Sequence, residues 1–136
     1  MKLLERNTDV GLFILRLGLG VLMLLHGISK LMHGADGIEQ MLSGMGIPVF
    51  VAYGVYIGEV IAPIFIIAGF ATRIAAVVMA FNMIVAIAMA HSADVFSLSE
   101  TGGWMIELPA LYFFGAVALM FTGAGKYAVS NKHIWD

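Results

Sequence analysis

Six ionisable side chains stand inside otherwise apolar sequence: Arg16, His26 and Lys30 in one hydrophobic run, Glu59 in a second, His91 closing a third and Glu107 near the start of a fourth. A charge in hydrocarbon costs about 2.5–3.5 kcal/mol on insertion scales, so each of these groups needs a partner or a water-lined cavity. The chemistry open to such a set is hydrogen bonding to a carbonyl group, proton uptake or release by imidazole, and tuning of both by nearby acids. At about 100° per residue, His26 and Lys30 lie within roughly 80° and 40° of Arg16, so the three share one helix face.

Composition says what surrounds them. Of 136 residues, 61% are hydrophobic and only 12% charged, with a mean hydropathy of +0.97 and no cysteine. Water-facing domains carry about 25% charged residues. This composition excludes a soluble globular enzyme, a disordered tail, a disulfide scaffold and thiol chemistry of the chain's own. A net charge of -2 without basic blocks excludes a nucleic-acid partner.

A spanning helix needs roughly 20 apolar residues. The sequence predicts four, over 11–31, 50–70, 74–91 and 104–122, within a single domain of residues 1–136. The expected fold is an all-α integral membrane four-helix bundle. Met1-Lys2-Leu3-Leu4-Glu5-Arg6 looks like a signal n-region, but Arg16 interrupts the following run and no small-residue cleavage site closes it, so a retained helix is expected. Lys2, Arg6, Arg73, Lys126 and Lys132 fall on one side and Lys30, Asp36, Glu39, Asp94 and Glu100 on the other, which predicts both termini cytoplasmic and loops one and three external. Tyr127 and Trp135 on one side, and Trp104 and Tyr53 on the other, suit interfacial anchors. In loop one, Asp36 and Glu39 have capping-box spacing, and Ile38, Met41, Leu42 and Met45 recur on one face, predicting a short amphipathic external helix.

From the rise per residue, His26, Lys30, His91 and Glu107 fall in the outer third of the bilayer, Glu59 deeper and Arg16 nearer the cytoplasm. Arg16 and Glu59 differ by about 8 Å in height, so a structural ion pair between them is expected, with Lys30 and Glu107 as a second pair. His26, Lys30, Glu59, His91 and Glu107 are the candidate ligand-binding residues. Asn82 reads as an interhelical hydrogen bond rather than a member of that pocket. Pro63 removes the donor to the Glu59 carbonyl and is expected to kink the helix there. Gly18, Gly20, Gly54-x-x-x-Gly58 and Ala76-x-x-x-Ala80 permit close helix approach, and the Gly54 motif also suits a homo-oligomer face. Ten methionines invite a copper reading, but gap-filling in apolar packing explains them, and no metal site is assigned. Two histidines on different helices could hold a haem, with nothing further in support.

Together, Leu15-Arg16-Leu17-Gly18-Leu19-Gly20, His26-Gly27-Ile28-Ser29-Lys30-Leu31, Gly58-Glu59, Gly69-Phe70-Ala71-Thr72-Arg73, Glu107-Leu108 and Thr122-Gly123-Ala124-Gly125-Lys126-Tyr127 resemble the DoxX family over nearly the whole chain. The resemblance implies a small four-helix inner-membrane protein whose recurrent polar positions coincide with Arg16, His26, Lys30, Glu59, His91 and Glu107. The family takes its name from a subunit of a thiosulfate:quinone oxidoreductase. With no cysteine, haem-attachment or nucleotide motif here, electrons would pass through a bound quinone or a partner's cofactor.

Two readings follow. In the first, the chain is an accessory or non-autonomous subunit of a membrane oxidoreductase system and binds a quinone-like ligand in the outer half of the bundle. In the second, it is a non-enzymatic assembly or small-solute transport module whose polar network is architecture and whose outer face meets a redox or secretory partner protein. No nucleophile–base arrangement or cofactor fingerprint marks an autonomous enzyme, so no catalytic residue is assigned.

Overall fold

The computed structural model of the chain describes residues 5–34 and 36–136. Among them the architecture is all-α: α1 (Thr8–His33), α2 (Asp36–Gly44), α3 (Tyr53–Ala68), α4 (Thr72–Ala90) and α5 (Glu107–Thr122). A 3-10 turn, Val49–Ala52, leads into α3. The nearest thing to strand pairing is one isolated bridge between Leu98 and Trp104. Lys2 and the rest of residues 1–4 lie outside the described residues, as does the Asp36 side chain on which the expected capping box depends.

The chain starts α1 at Asn7, whose side chain accepts from the Val10 N–H, and ends it with Lys30 and His33 in the last turn, where cations oppose the helix dipole. Helices α1 and α4 are long and apolar enough to cross a membrane, while α3 and α5 are shorter apolar helices. Each long helix packs against both short ones, so the four close a ring, and successive members run in opposite directions. Asp9, Gly69, Arg73 and Lys126 mark one end of this ring, and Lys30, Tyr56 and His91 the other.

Burial in the ring is inverted relative to a water-soluble protein. Ile14 is 64% and Phe121 81% exposed, whereas Arg16 is 0% and Glu59 5% exposed. Apolar side chains cover the outside and charges lie within, as expected where the surrounding solvent is hydrocarbon. The buried centre is Met23, Ile66, Ala76, Met79, Ala116 and Leu119. Helix approach uses Gly20, Gly27 and Gly58: a Cβ on Gly20 would lie 3.1 Å from the Pro63 carbonyl oxygen, and one on Gly58 would lie 2.6 Å from the Asn82 Cβ. Gly18 and Gly54, expected to share this role, face open space.

All four segments differ in their bounds from the sequence reading, the third by starting two residues earlier and ending one earlier, as Thr72–Ala90. The second run is α-helical only from Tyr53, because Val49–Ala52 winds as 3-10 after Pro48. The first run extends by three residues upstream and two downstream, to Thr8 and His33. The fourth begins at Glu107, since Trp104 is held in the preceding loop by its bridge to Leu98 and by its indole N–H, which donates to the Val95 carbonyl at 2.6 Å.

The segment after α5 does more than flank it. Ala71 takes a left-handed φ of 48° between α3 and α4, and its N–H donates to Asp136 Oδ1 at 3.0 Å. Asp136 Oδ2 accepts from the Ser130 hydroxyl and the N–H groups of Lys132 and His133. Arg73 and Ile74, at the start of α4, donate their N–H groups to the Trp135 carbonyl, and Val129 and Ser130 donate to the Ala68 and Gly69 carbonyls at the end of α3. This strap satisfies helix-end groups that would otherwise lack partners.

The Ser130 hydroxyl, with the three backbone donors, holds the Asp136 carboxyl below the usual carboxylate range. A depressed carboxylate stabilises the fold above its unfolded pKa, and that stabilisation fades as pH falls through the folded one. Asp136→Asn is therefore expected to lower the melting temperature at neutral pH, with the gap to the unmodified protein closing below pH about 3.8. Melting curves at several pH values check this.

Candidate functional site

The local geometry of α3 sets the site. Pro63 has no N–H to give the Glu59 carbonyl, and the helix widens into a π turn over Ile57–Ile61, with Ala62 donating to the Ile57 carbonyl five residues back. The expected kink thus takes the form of a bulge. It carries Glu59 inward, against α1, which approaches closely because Gly27 presents only hydrogen to the Glu59 backbone.

Glu59 Oε2 meets Lys30 Nζ at 2.5 Å. The Glu59 side chain is 7% exposed and that of Lys30 34%, so the pair has one buried and one wetter end. A first cavity of about 170 Å³ opens on one side of the pair, bounded by Met23 and His26 of α1, Met83 of α4, His91 and Tyr112 of α5. His26 meets the Tyr112 ring edge-on, centroids 5.9 Å apart, and His91 Nδ1 lies 3.9 Å from Asp94 Oδ2. A second cavity of about 190 Å³ lies on the other side, under Ile38 and Met41 of α2 and beside Asn82. Lys30, Glu59, Ala86 and His91 border both.

Four of the five candidate residues, His26, Lys30, Glu59 and His91, therefore converge on one cavity. Glu107 does not. Its carboxylate is exposed beside Gly103, on the first turn of α5, while Leu108 and Pro109 line the cavity in its place. The expected Lys30–Glu107 pair is replaced by Lys30–Glu59.

The expected Arg16–Glu59 pair is not formed either. Because α3 begins at Tyr53, Glu59 lies only about two turns from its N-terminal end, level with Lys30 and some 20 Å along α1 from Arg16. Arg16 instead reaches the opposite end of the ring, where Nη2 donates to the Tyr127 carbonyl and the guanidinium lies 5.5 Å from the Phe13 ring centroid. Its Nε and Nη1 meet no protein acceptor, and no carboxylate comes within 4.0 Å among the described residues. Replacing a buried, incompletely matched charge with an apolar side chain is often neutral or stabilising. Arg16→Met is accordingly expected to hold or raise the melting temperature in detergent.

Tyr112 and Asn82 are the members of the site that sequence reasoning placed elsewhere or passed over. Tyr112 is 7% exposed in mid-α5, and a tyrosine so far from either interface was its signal. Asn82 packs on Gly58 and borders the second cavity.

Among known proteins, the DoxX family model matches residues 11–92, well over half of the chain. The chain belongs to the DoxX family. As a DoxX protein it is a membrane protein, in agreement with its two span-length apolar helices and its inverted burial. The matched region holds His26, Lys30, Glu59 and His91, and ends before α5 supplies Tyr112. No curated protein and no solved structure matches the chain.

Proposed function

We propose that this DoxX protein binds a quinone-like ligand in the first cavity and serves as an accessory or subunit of a membrane oxidoreductase system. The observation that carries the reading is the convergence of His26, His91, Tyr112 and the Lys30–Glu59 pair on one cavity with otherwise apolar walls. Ligand sites of this kind combine apolar walls with a few convergent polar groups. The donors fit a flat ring bearing carbonyl oxygens: an imidazole N–H, a phenol and an ammonium can each donate to such an oxygen. A quinone bound there would accept two electrons and two protons on becoming a quinol, the electrons coming from a partner's redox centre. His26 and His91 would exchange protons with the cavity, and the Glu59 carboxylate would hold the Lys30 side chain in place.

The same reading takes all four apolar helices as spans of one domain, residues 1–136, in the inner membrane, with both termini cytoplasmic. Arg73, Lys126 and Lys132 gather at the ring end that carries Asp9, which supports this orientation. The shorter α3 and α5 are extended at their outer ends by Val49–Ala52 and by the loop carrying Trp104.

A second reading, an assembly or small-solute module, draws support from the Lys30–Glu59 pair, whose members already satisfy one another without a ligand. Thermal shift in detergent separates the two. A short-chain quinone is expected to raise the melting temperature, the rise being lost in His26→Ala and Tyr112→Phe and kept in Glu107→Gln. No rise with any quinone tested, or an equal rise in all variants, contradicts ligand binding at this cavity.

A further inference from the structure

The second cavity has a character of its own. Away from the shared border it is walled by Ile38 and Met41 of α2, Val55 of α3, and Val85 and Met89 of α4, with Asn82 as the one further polar side chain among the described residues. α2 is fixed over it by the neighbouring residue. Leu42 is 2% exposed, and its carbonyl accepts from the Ile47 N–H at 2.9 Å, tying the helix to the chain that leads into α3. Ile38 and Met41, on the same apolar face, are then left lining the cavity rather than packed into the core.

Two adjoining compartments therefore meet at Lys30, Glu59, Ala86 and His91; beyond that shared border one adds the imidazole of His26 and the phenol of Tyr112, the other mainly apolar side chains. A lone ring would use only the first. We propose, building on the quinone-like reading above, that the ligand is amphiphilic: its carbonyl-bearing ring occupies the cavity of His26 and Tyr112, and a hydrocarbon tail runs past Ala86 into the cavity beneath α2. This makes α2 the wall along which the tail lies. Ring and tail are distinguished by chemistry, since the ring needs donors and the tail needs only apolar contact.

Photolabelling of the full chain in detergent micelles tests the tail's path. The probe is a benzoquinone carrying a ten-carbon alkyl chain with a diazirine near its end, and the labelled residues are mapped by peptide mass spectrometry. Label concentrated on Ile38, Met41 and Met89, and removed by excess unlabelled tailed quinone, is the expected result. A parallel thermal shift with a tailless benzoquinone separates the two levels of the account. If the tailless ring stabilises the protein but label falls on outward residues such as Leu22, Met32 or Phe81, the tail path is overturned and the ring site stands. If neither compound shifts the melting temperature and no label is competed, both are overturned.

Discussion

Lys30→Met is expected to destabilise the protein by about 2–3 kcal/mol. Breaking a fully buried ion pair by removing one partner costs about 3–5 kcal/mol, because the other charge is stranded. Here the stranded group is the Glu59 carboxylate, whose side chain is only 7% exposed, while the lost ammonium was 34% exposed and so partly solvated already. The second figure moves the cost below the full range. Glu59→Gln is expected to cost less, since glutamine still offers Lys30 an oxygen and a lysine in the last turn of an apolar helix can extend past the helix end toward the interface. The double variant Lys30→Met with Glu59→Gln leaves no unpaired charge, and is expected to be more stable than the two single effects summed. Unfolding of all four proteins in one detergent yields the coupling directly, and additive losses would mean that the pair is not an energetic unit.

Gly27→Val is expected to cost more, about 3 kcal/mol or above. Its Cβ would lie 2.7 Å from the Glu59 carbonyl carbon and 2.7 Å from the Val60 Cγ2, and the first of these is backbone that cannot swing aside. Overpacking of a core by a side chain commonly costs about 1–3 kcal/mol, and a rigid neighbour places this site at the upper end. Separation of α1 from α3 here also pulls Lys30 from Glu59, three residues beyond the crossing, so loss of stability should come with loss of quinone-induced stabilisation. Gly18→Val is the matched control. Nothing lies within 4 Å of a Cβ at Gly18, and its melting temperature is expected to stay within a few degrees of the unmodified protein.

The four apolar helices were legible because long apolar runs are strong signals, whereas how they pack around one another was not. The amphipathic face of α2 was legible from its residue spacing, and the gathering of His26, Lys30 and His91 at one end from the rise per residue, which placed Glu59 deeper and Glu107 beside them. Partner choice inside that gathering was not. It depended on the 3-10 turn at Val49–Ala52 and the π turn at Ile57–Ile61, which together set the height and facing of Glu59, and neither leaves a periodic trace in sequence. A shift of a few residues in the start of α3 was enough to exchange Arg16 for Lys30 as its partner. Glu107 was misjudged through the start of α5: with Trp104 held in a loop, Glu107 falls on the exposed first turn rather than a turn inside the helix. The strap of residues 123–136 was invisible because nearly all its bonds have a backbone group as at least one partner, with side chains of Asp9, Arg16, Arg73, Ser130, Asn131 and Asp136 completing them.

A quinone-like ligand held in the cavity beside Lys30 and Glu59 should travel with the protein out of the membrane. Native mass spectrometry of the protein extracted gently from its own membrane, with organic extraction of whatever accompanies it, tests this most directly. The account predicts a stoichiometric quinone on the unmodified protein, absent from His26→Ala and Tyr112→Phe. A bundle that carries no quinone, or one whose quinone persists in both variants, would contradict it and leave the polar cluster as architecture.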